Sequence, residues 1–239
     1  LRGVDTVVVA YRMNLYLFGE HEGIYPALPD TVGEAARLRV WRSYVDLVTR
    51  LHAAGISLGG NALLKWAGER AEAAAEVVTG VAGICAPLDL AACGHHLAHG
   101  FNRLYTRHFL DTLKVRSAAR LQHFPGLFDE RRLQRATTLH DFDNAVTAPL
   151  HGFANADDYW QRASSKPWLR TIEVPTLLVN ARNDPFLSAQ ALPGADEVAP
   201  AVRLDFSAEG GHVGFVSGDW PGHLDWLPRR LMHFLRHAP

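Results

Sequence analysis

Apolar positions along this chain follow two rhythms. Short β-branched or continuous apolar runs read as strands: Val4–Tyr11 (VDTVVVAY), Leu51–Ile56, Val77–Ala86 ended by Pro87, and Pro175–Asn180 (PTLLVN). A fifth, VRLDFS, sets Val202, Leu204 and Phe206 against Arg203, Asp205 and Ser207, the alternation of a half-buried strand. Between these runs the spacing turns helical. Residues 33–50 carry Ala36, Val40, Tyr44 and Leu47 on one face. Gly60–Ala75 is rich in helix formers, and Leu224–His237 is amphipathic, with Pro228 tolerable only in its first turn. Residues 12–32 read as loop. Residues 88–170 hold no strand run; helices are expected over Ala98–Lys114 and over 129–136, 138–145 and 155–164.

Strand and helix alternate, with one long helical interruption. That order predicts an α/β fold: an open, mostly parallel sheet with helices on both faces. All 239 residues are expected to form a single domain, with 88–170 as a helical cap insertion. Ligands in such sheets bind beyond the carboxyl ends of the strands.

Composition excludes more than it assigns. A net charge of −1 with no basic stripe argues against a nucleic-acid partner. No apolar run is long enough for a transmembrane segment. Two cysteines, Cys85 and Cys93, make no disulfide framework, and the first residues lack the pattern of a signal peptide, so a cytoplasmic setting is expected. The chain starts without Met and almost inside a strand, from which a missing front end is expected.

Chemistry concentrates at three strand ends. Gly55-Ile56-Ser57-Leu58-Gly59 matches G-x-S-x-G at a strand-to-helix turn, with Gly60 adding a further small residue. There a serine takes a strained backbone conformation that exposes its hydroxyl, and Gly55 and Gly59 relieve the crowding on either side. The Leu58 N–H then faces any oxyanion that forms. A turn merely rich in small residues is the plainer alternative. NARNDPF puts Asp184 just after one strand, and AEGGHVGF puts His212 just after the next. Ser57, Asp184 and His212 therefore stand in the chain order of a Ser–acid–His triad.

Other clusters compete less well. CGHHLAH offers Cys93, His95, His96 and His99, but a fourth ligand with fixed geometry is not evident, and a polar helix start explains the run. Asp141, Asp143, Asp157 and Asp158 suit helix N-termini. HGF at 151–153 resembles part of an oxyanion loop but falls inside the insertion. Phe101, Tyr105 and Phe109 form an aromatic face that either lines a substrate pocket or packs on the sheet.

With these residues in view, GISLGGNALLKW, the insertion from GFNRLYTRHFL through FDNAVTAPLHGF to DYW, PTLLVNARNDPF and GGHVGFVSG resemble the YheT-like branch of the α/β-hydrolases. The resemblance runs from about residue 51 to the end. It implies an α/β-hydrolase fold and a serine hydrolase of carboxylic esters, with Ser57, Asp184 and His212 as its triad. It further implies an acyl ester or lipid-like small-molecule substrate, and no metal or organic cofactor. The front end departs from the family: VVVAYRMNLYLFGE shares only Arg12 with the family's Arg-Gly-Cys-Ser-Gly, and the family's earlier strands and oxyanion-supplying loop have no counterpart. Two alternatives stay open, the first motivated by that departure. One is a catalytically impaired hydrolase fold that binds lipid or a partner; the other is an acyltransferase on the same three residues.

Overall fold

The computed structural model describes residues 52–237. The expected strand Val4–Tyr11 and helix 33–50 lie outside the described residues. Four strands, β1 (His52–Ile56), β2 (Gly80–Ile84), β3 (Thr176–Ala181) and β4 (Val202–Ser207), form one parallel sheet in the order β1-β2-β3-β4. Ile56 pairs with Ile84, Ile84 with Val179, and Val179 with Asp205, so the carboxyl ends of the four strands lie along one edge.

Every residue of β2 and β3 is buried. Alternate side chains feed two cores, as a period of two requires. On one face Val81 and Leu178 meet Leu64 and Ala67 of helix α1 (Leu58–Arg70). On the other, Ala82, Ile84, Leu177 and Val179 pack with Phe215 and with Leu227, Leu231 and Phe234 of helix α8 (Trp226–His237). Pro228 is the third residue of α8, inside the first turn as its missing N–H demands.

Helix α1 begins two residues earlier than the sequence suggests, because the turn at Ser57 launches it directly. It ends at Arg70, where Ala71 takes φ 47°, and a 3-10 segment follows to Glu76. Between β2 and β3 the chain forms no strand, and its regular elements are helical: α2 (Leu90–Leu97), α3 (Arg103–His123), α4 (Glu130–Arg135), α5 (Leu139–Phe142), α6 (Ala148–His151) and α7 (Ala156–Ala163). The expected helix 98–114 is divided differently. Asp89 caps α2 by accepting from the Ala92 N–H at 2.9 Å, and Gly100 at φ 58° turns the chain before α3. The expected helix 138–145 is also broken up: Asp143–Thr147 is a π-helical segment between α5 and α6.

These helices carry an apolar cluster of their own, with Leu110, Leu133, Phe142 and Val146 at its centre. A second cluster, Leu90, Tyr159 and Trp160, reaches Leu58 at the start of α1. Polar bonds fasten the inserted helices to the layer beneath. The buried Asn61 side chain of α1 donates to Ala163 O (2.8 Å) and accepts from the Ser165 N–H (2.9 Å). The Lys166 N–H donates to Leu88 O at 2.9 Å, closing the same junction. Among the described residues no helix is long and apolar enough to cross a membrane.

Replacing Asn61 by Ala leaves the fully buried Ser165 N–H without an acceptor, at a cost of about 1–3 kcal/mol. The expected result is a lower urea midpoint for Asn61→Ala with an unchanged m-value; an unchanged midpoint would show that the junction does not depend on this amide.

Candidate active site

The four strand ends each deliver one residue to the same edge of the sheet. Ser57 follows β1, Cys85 follows β2, Asp184 lies three residues beyond β3, and His212 lies in the loop after β4.

Ser57 adopts φ 53°, ψ −127°, a conformation that a non-glycine residue takes only under constraint. Its N–H continues the sheet by donating to Ile84 O at 2.8 Å, and its carbonyl accepts from the Asn61 N–H at 3.1 Å. The chain therefore turns from strand to helix within one residue. Space is the reason for Gly55 and Gly60, while no comparable crowding marks Gly59 itself. A Cβ on Gly55 would lie 2.5 Å from Gly59 O and 2.7 Å from Gly60 Cα; one on Gly60 would lie 2.8 Å from Gly55 O. The tight approach is thus between Gly55 and the backbone of both Gly59 and Gly60. Leu58 is the first residue of α1, so its N–H has no acceptor within the helix and stands at the positive end of the helix dipole.

Asp184 and His212 meet. His212 Nδ1 lies 2.8 Å from Asp184 Oδ2, with the carboxylate fully buried and the imidazole 16% exposed. The other carboxylate oxygen accepts from the Phe186 N–H at 2.9 Å. In a neutral imidazole an acceptor held this way selects the tautomer with hydrogen on Nδ1, which leaves the lone pair on Nε2. The His212 loop is braced by Asn183, whose Oδ1 accepts from the N–H groups of Gly210 (3.0 Å) and Gly211 (2.9 Å). Phe186 packs on the imidazole, with ring centroids 4.5 Å apart, and Tyr105 and Phe109 of α3 pack in turn on Phe186 at 4.8 and 5.5 Å. The aromatic face of α3 therefore meets the loop beyond β3 and not the sheet itself, and Phe101 at its end is 75% exposed.

Both cysteines lie close by, and both are protonated thiols. Burial pushes Cys85 up to about 11, against the lowering effect of the Val213 N–H. Burial, with the Asp184 and Asp89 charges, pushes Cys93 up to about 12. One ligand-type atom from each of Cys85, Asp184 and His212 falls within 4.8 Å of the others. The position of Cys85 against the pair carries no sequence signal, since an isolated cysteine after a strand matches no motif.

The residues of CGHHLAH point to separate partners. The Cys93 thiol donates to Phe186 O (3.4 Å), His96 Nε2 pairs with Pro185 O (3.2 Å), His99 Nδ1 with His95 O (2.7 Å), and His95 meets Trp160 edge-on. Two of them thus grip the segment that follows Asp184. The acids divide. Asp141 closes a capping box with Thr138, and Asp157 and Asp158 occupy the first turn of α7. Asp143 departs from the helix-terminus expectation: it is half-buried in the π-helical segment and accepts from Thr147 Oγ1 (2.6 Å) and Trp160 Nε1 (2.7 Å). Burial raises its carboxyl, and those two bonds oppose the rise. His151–Phe153 ends α6, with Gly152 left-handed at φ 71°.

A family profile described as the alpha/beta hydrolase fold matches residues 48–219. The chain is 36% identical over 188 residues to YheT of Escherichia coli (strain K12), a protein provisionally named an esterase; the match takes in 77% of this chain and 54% of that protein. It is 30% identical over 186 residues to phospholipase ABHD3 of Mus musculus, across 77% of this chain and 45% of the relative. The chain thus spans about half the length of the curated relatives it matches. Among solved structures, the monoacylglycerol lipase of Paleococcus ferrophilus aligns with 86% of this chain and 76% of its own at a TM-score of 0.45 and 14% identity.

The turn at Ser57 admits no side chain at residue 55. Gly55→Ala is expected to lose about 1–3 kcal/mol through overpacking against backbone, read as a fall in the urea midpoint. A neutral result would mean that the turn relaxes freely and that Ser57 is not held in its strained conformation.

Proposed function

Because the chain belongs to the alpha/beta hydrolase fold family, we propose that it is a serine hydrolase of carboxylic esters, with Ser57 as nucleophile, His212 as general base and Asp184 as the acid that orients it. The observation that carries this reading is the 2.8 Å contact between His212 Nδ1 and the buried Asp184 carboxylate. It stands at the same sheet edge as a serine strained into a strand-to-helix turn. The names of the relatives, an esterase and a phospholipase, agree with an acyl ester or lipid-like substrate.

In this mechanism His212 Nε2 takes the Ser57 proton as Oγ attacks the acyl carbonyl. The C=O π electrons move to oxygen, and the Leu58 N–H at the start of α1 donates to the resulting oxyanion. Collapse of the tetrahedral intermediate expels the alcohol, which receives its proton from the imidazolium. Water, deprotonated by the same nitrogen, then releases the acid and restores Ser57. Asp184 remains ionised throughout: it holds Nδ1–H and stabilises the imidazolium formed in each half.

The reading is tested on the folded protein with a fluorophosphonate probe and p-nitrophenyl esters. Wild-type protein is expected to form an adduct at Ser57, and Ser57→Ala to form none and to fall to the background rate. Asp184→Asn is expected to lose about 10⁴-fold in kcat, since the amide favours the wrong tautomer. Absence of an adduct, with equal turnover by wild type and Ser57→Ala, would overturn the assignment.

A further inference from the structure

Cys85 has no part in the proton transfers above, yet it occupies a costly position. It is completely buried, and as a non-glycine residue at φ 47° it is held in the left-handed region. Its backbone is locked to the sheet, with its N–H donating to Val179 O at 2.7 Å. The thiol is therefore a fixed point relative to β2 and β3.

From that point it reaches both neighbours of His212. Cys85 Sγ accepts from the Val213 N–H at 3.4 Å and lies 4.0 Å from Gly211 O, within reach of a weak S–H donation. The loop it grips is under strain. Val213 sits at φ 69° and Phe215 at φ 46°, and a β-branched residue at such a φ persists only when its surroundings dictate it. Other restraints act at the loop's ends. Asn183 binds the N–H groups of residues 210 and 211, and Phe215 is buried against the sheet and stacked on Trp226 at 5.0 Å. The thiol acts between these anchors, on the two peptide units that flank the imidazole.

We infer that Cys85 is a positioning residue for His212: its thiol holds the backbone on both sides of the imidazole, so that the ring keeps its hydrogen bond to Asp184. A thiol suits this place better than a charged or larger group. It is at once a weak donor and a weak acceptor, matching one carbonyl and one N–H, and as a neutral group it does not repel the adjacent carboxylate. Only the expected effect on turnover depends on the hydrolase reading above; the effect on the ring does not.

Two variants separate the clamp from simple packing. Cys85→Gly accepts φ 47° without strain but removes the thiol; Cys85→Ser keeps a donor and acceptor at nearly the same place. The readout is the His212 Nδ1–H proton resonance in protein labelled with ¹⁵N-histidine, assigned by its loss in His212→Gln, together with kcat and KM on a p-nitrophenyl ester. Wild type is expected to show a slowly exchanging downfield resonance, Cys85→Gly to broaden or lose it while melting cooperatively, and Cys85→Ser to restore it. In step, kcat is expected to fall by about 10- to 100-fold in Cys85→Gly with KM unchanged, the scale of a misplaced catalytic group. A resonance that keeps its position and intensity in Cys85→Gly overturns the inference, as does its absence from wild type. A resonance lost in Cys85→Gly and regained in Cys85→Ser upholds it even if no form turns over ester, a result that would count against the hydrolase reading instead.

Discussion

The alignment of four parallel strands sets the position of everything else in this molecule. Residues 56, 84, 179 and 205 fall in one row across the sheet, so the chain leaves each strand at nearly the same height. Parallel pairing forces this arrangement, because every crossover must travel back outside the sheet before the next strand begins. The exits are therefore crowded together, while the returns run through α1, the inserted helices and the segment before β4. Ser57, Cys85, Asp184 and His212 come from widely separated parts of the sequence and share one edge for that reason alone.

The same edge concentrates backbone strain. Ser57, Cys85, Val213 and Phe215 all take positive φ without being glycine. Such residues survive where rigid surroundings leave no cheaper arrangement. Here β2 and β3, buried on both faces, supply the rigidity, and short bonds from Ser57 N–H to Ile84 O and from Cys85 N–H to Val179 O transmit it to the turns. The apolar core and the strand-end edge are thus one mechanical unit: close packing below fixes conformations above that an isolated loop would abandon.

Local patterns make much of this legible in the sequence. β3 and β4 are readable because a buried apolar run and a strict alternation each allow one backbone period. The turn at Ser57 is readable because a serine flanked by glycines marks the point where a strand period gives way to a helical one. The pairing of Asp184 with His212 follows from each standing just past its own strand. Long-range contacts leave no such mark. The amide of Asn61 bonds to residues about a hundred positions away, and nothing around Asn61 announces it. Cys85 reads as compartment chemistry until the His212 loop is seen lying across it. The π-helical segment has the composition of an ordinary helix; what sets it apart is Asp143, drawn inward by Trp160 and Thr147. The division at Gly100 is hidden for a different reason. Asp89 is an ordinary helix start, but the histidine-rich stretch after it masks the apolar face of α2.

The pairing of β2 with β3 spans the whole helical insertion, and this bears on how the chain reaches its native state. Bringing Ile84 beside Val179 closes a loop of roughly 90 residues, and the entropic cost of closure grows with the logarithm of loop length. The insertion carries its own apolar cluster, built from contacts among neighbouring helices, so it can condense locally before the strands meet. A condensed insertion acts as a short connector between two ends already close in space. The centre of the sheet would then assemble late, after the helices that interrupt it, and kinetic control of folding would rest with the part of the chain that contributes no strand.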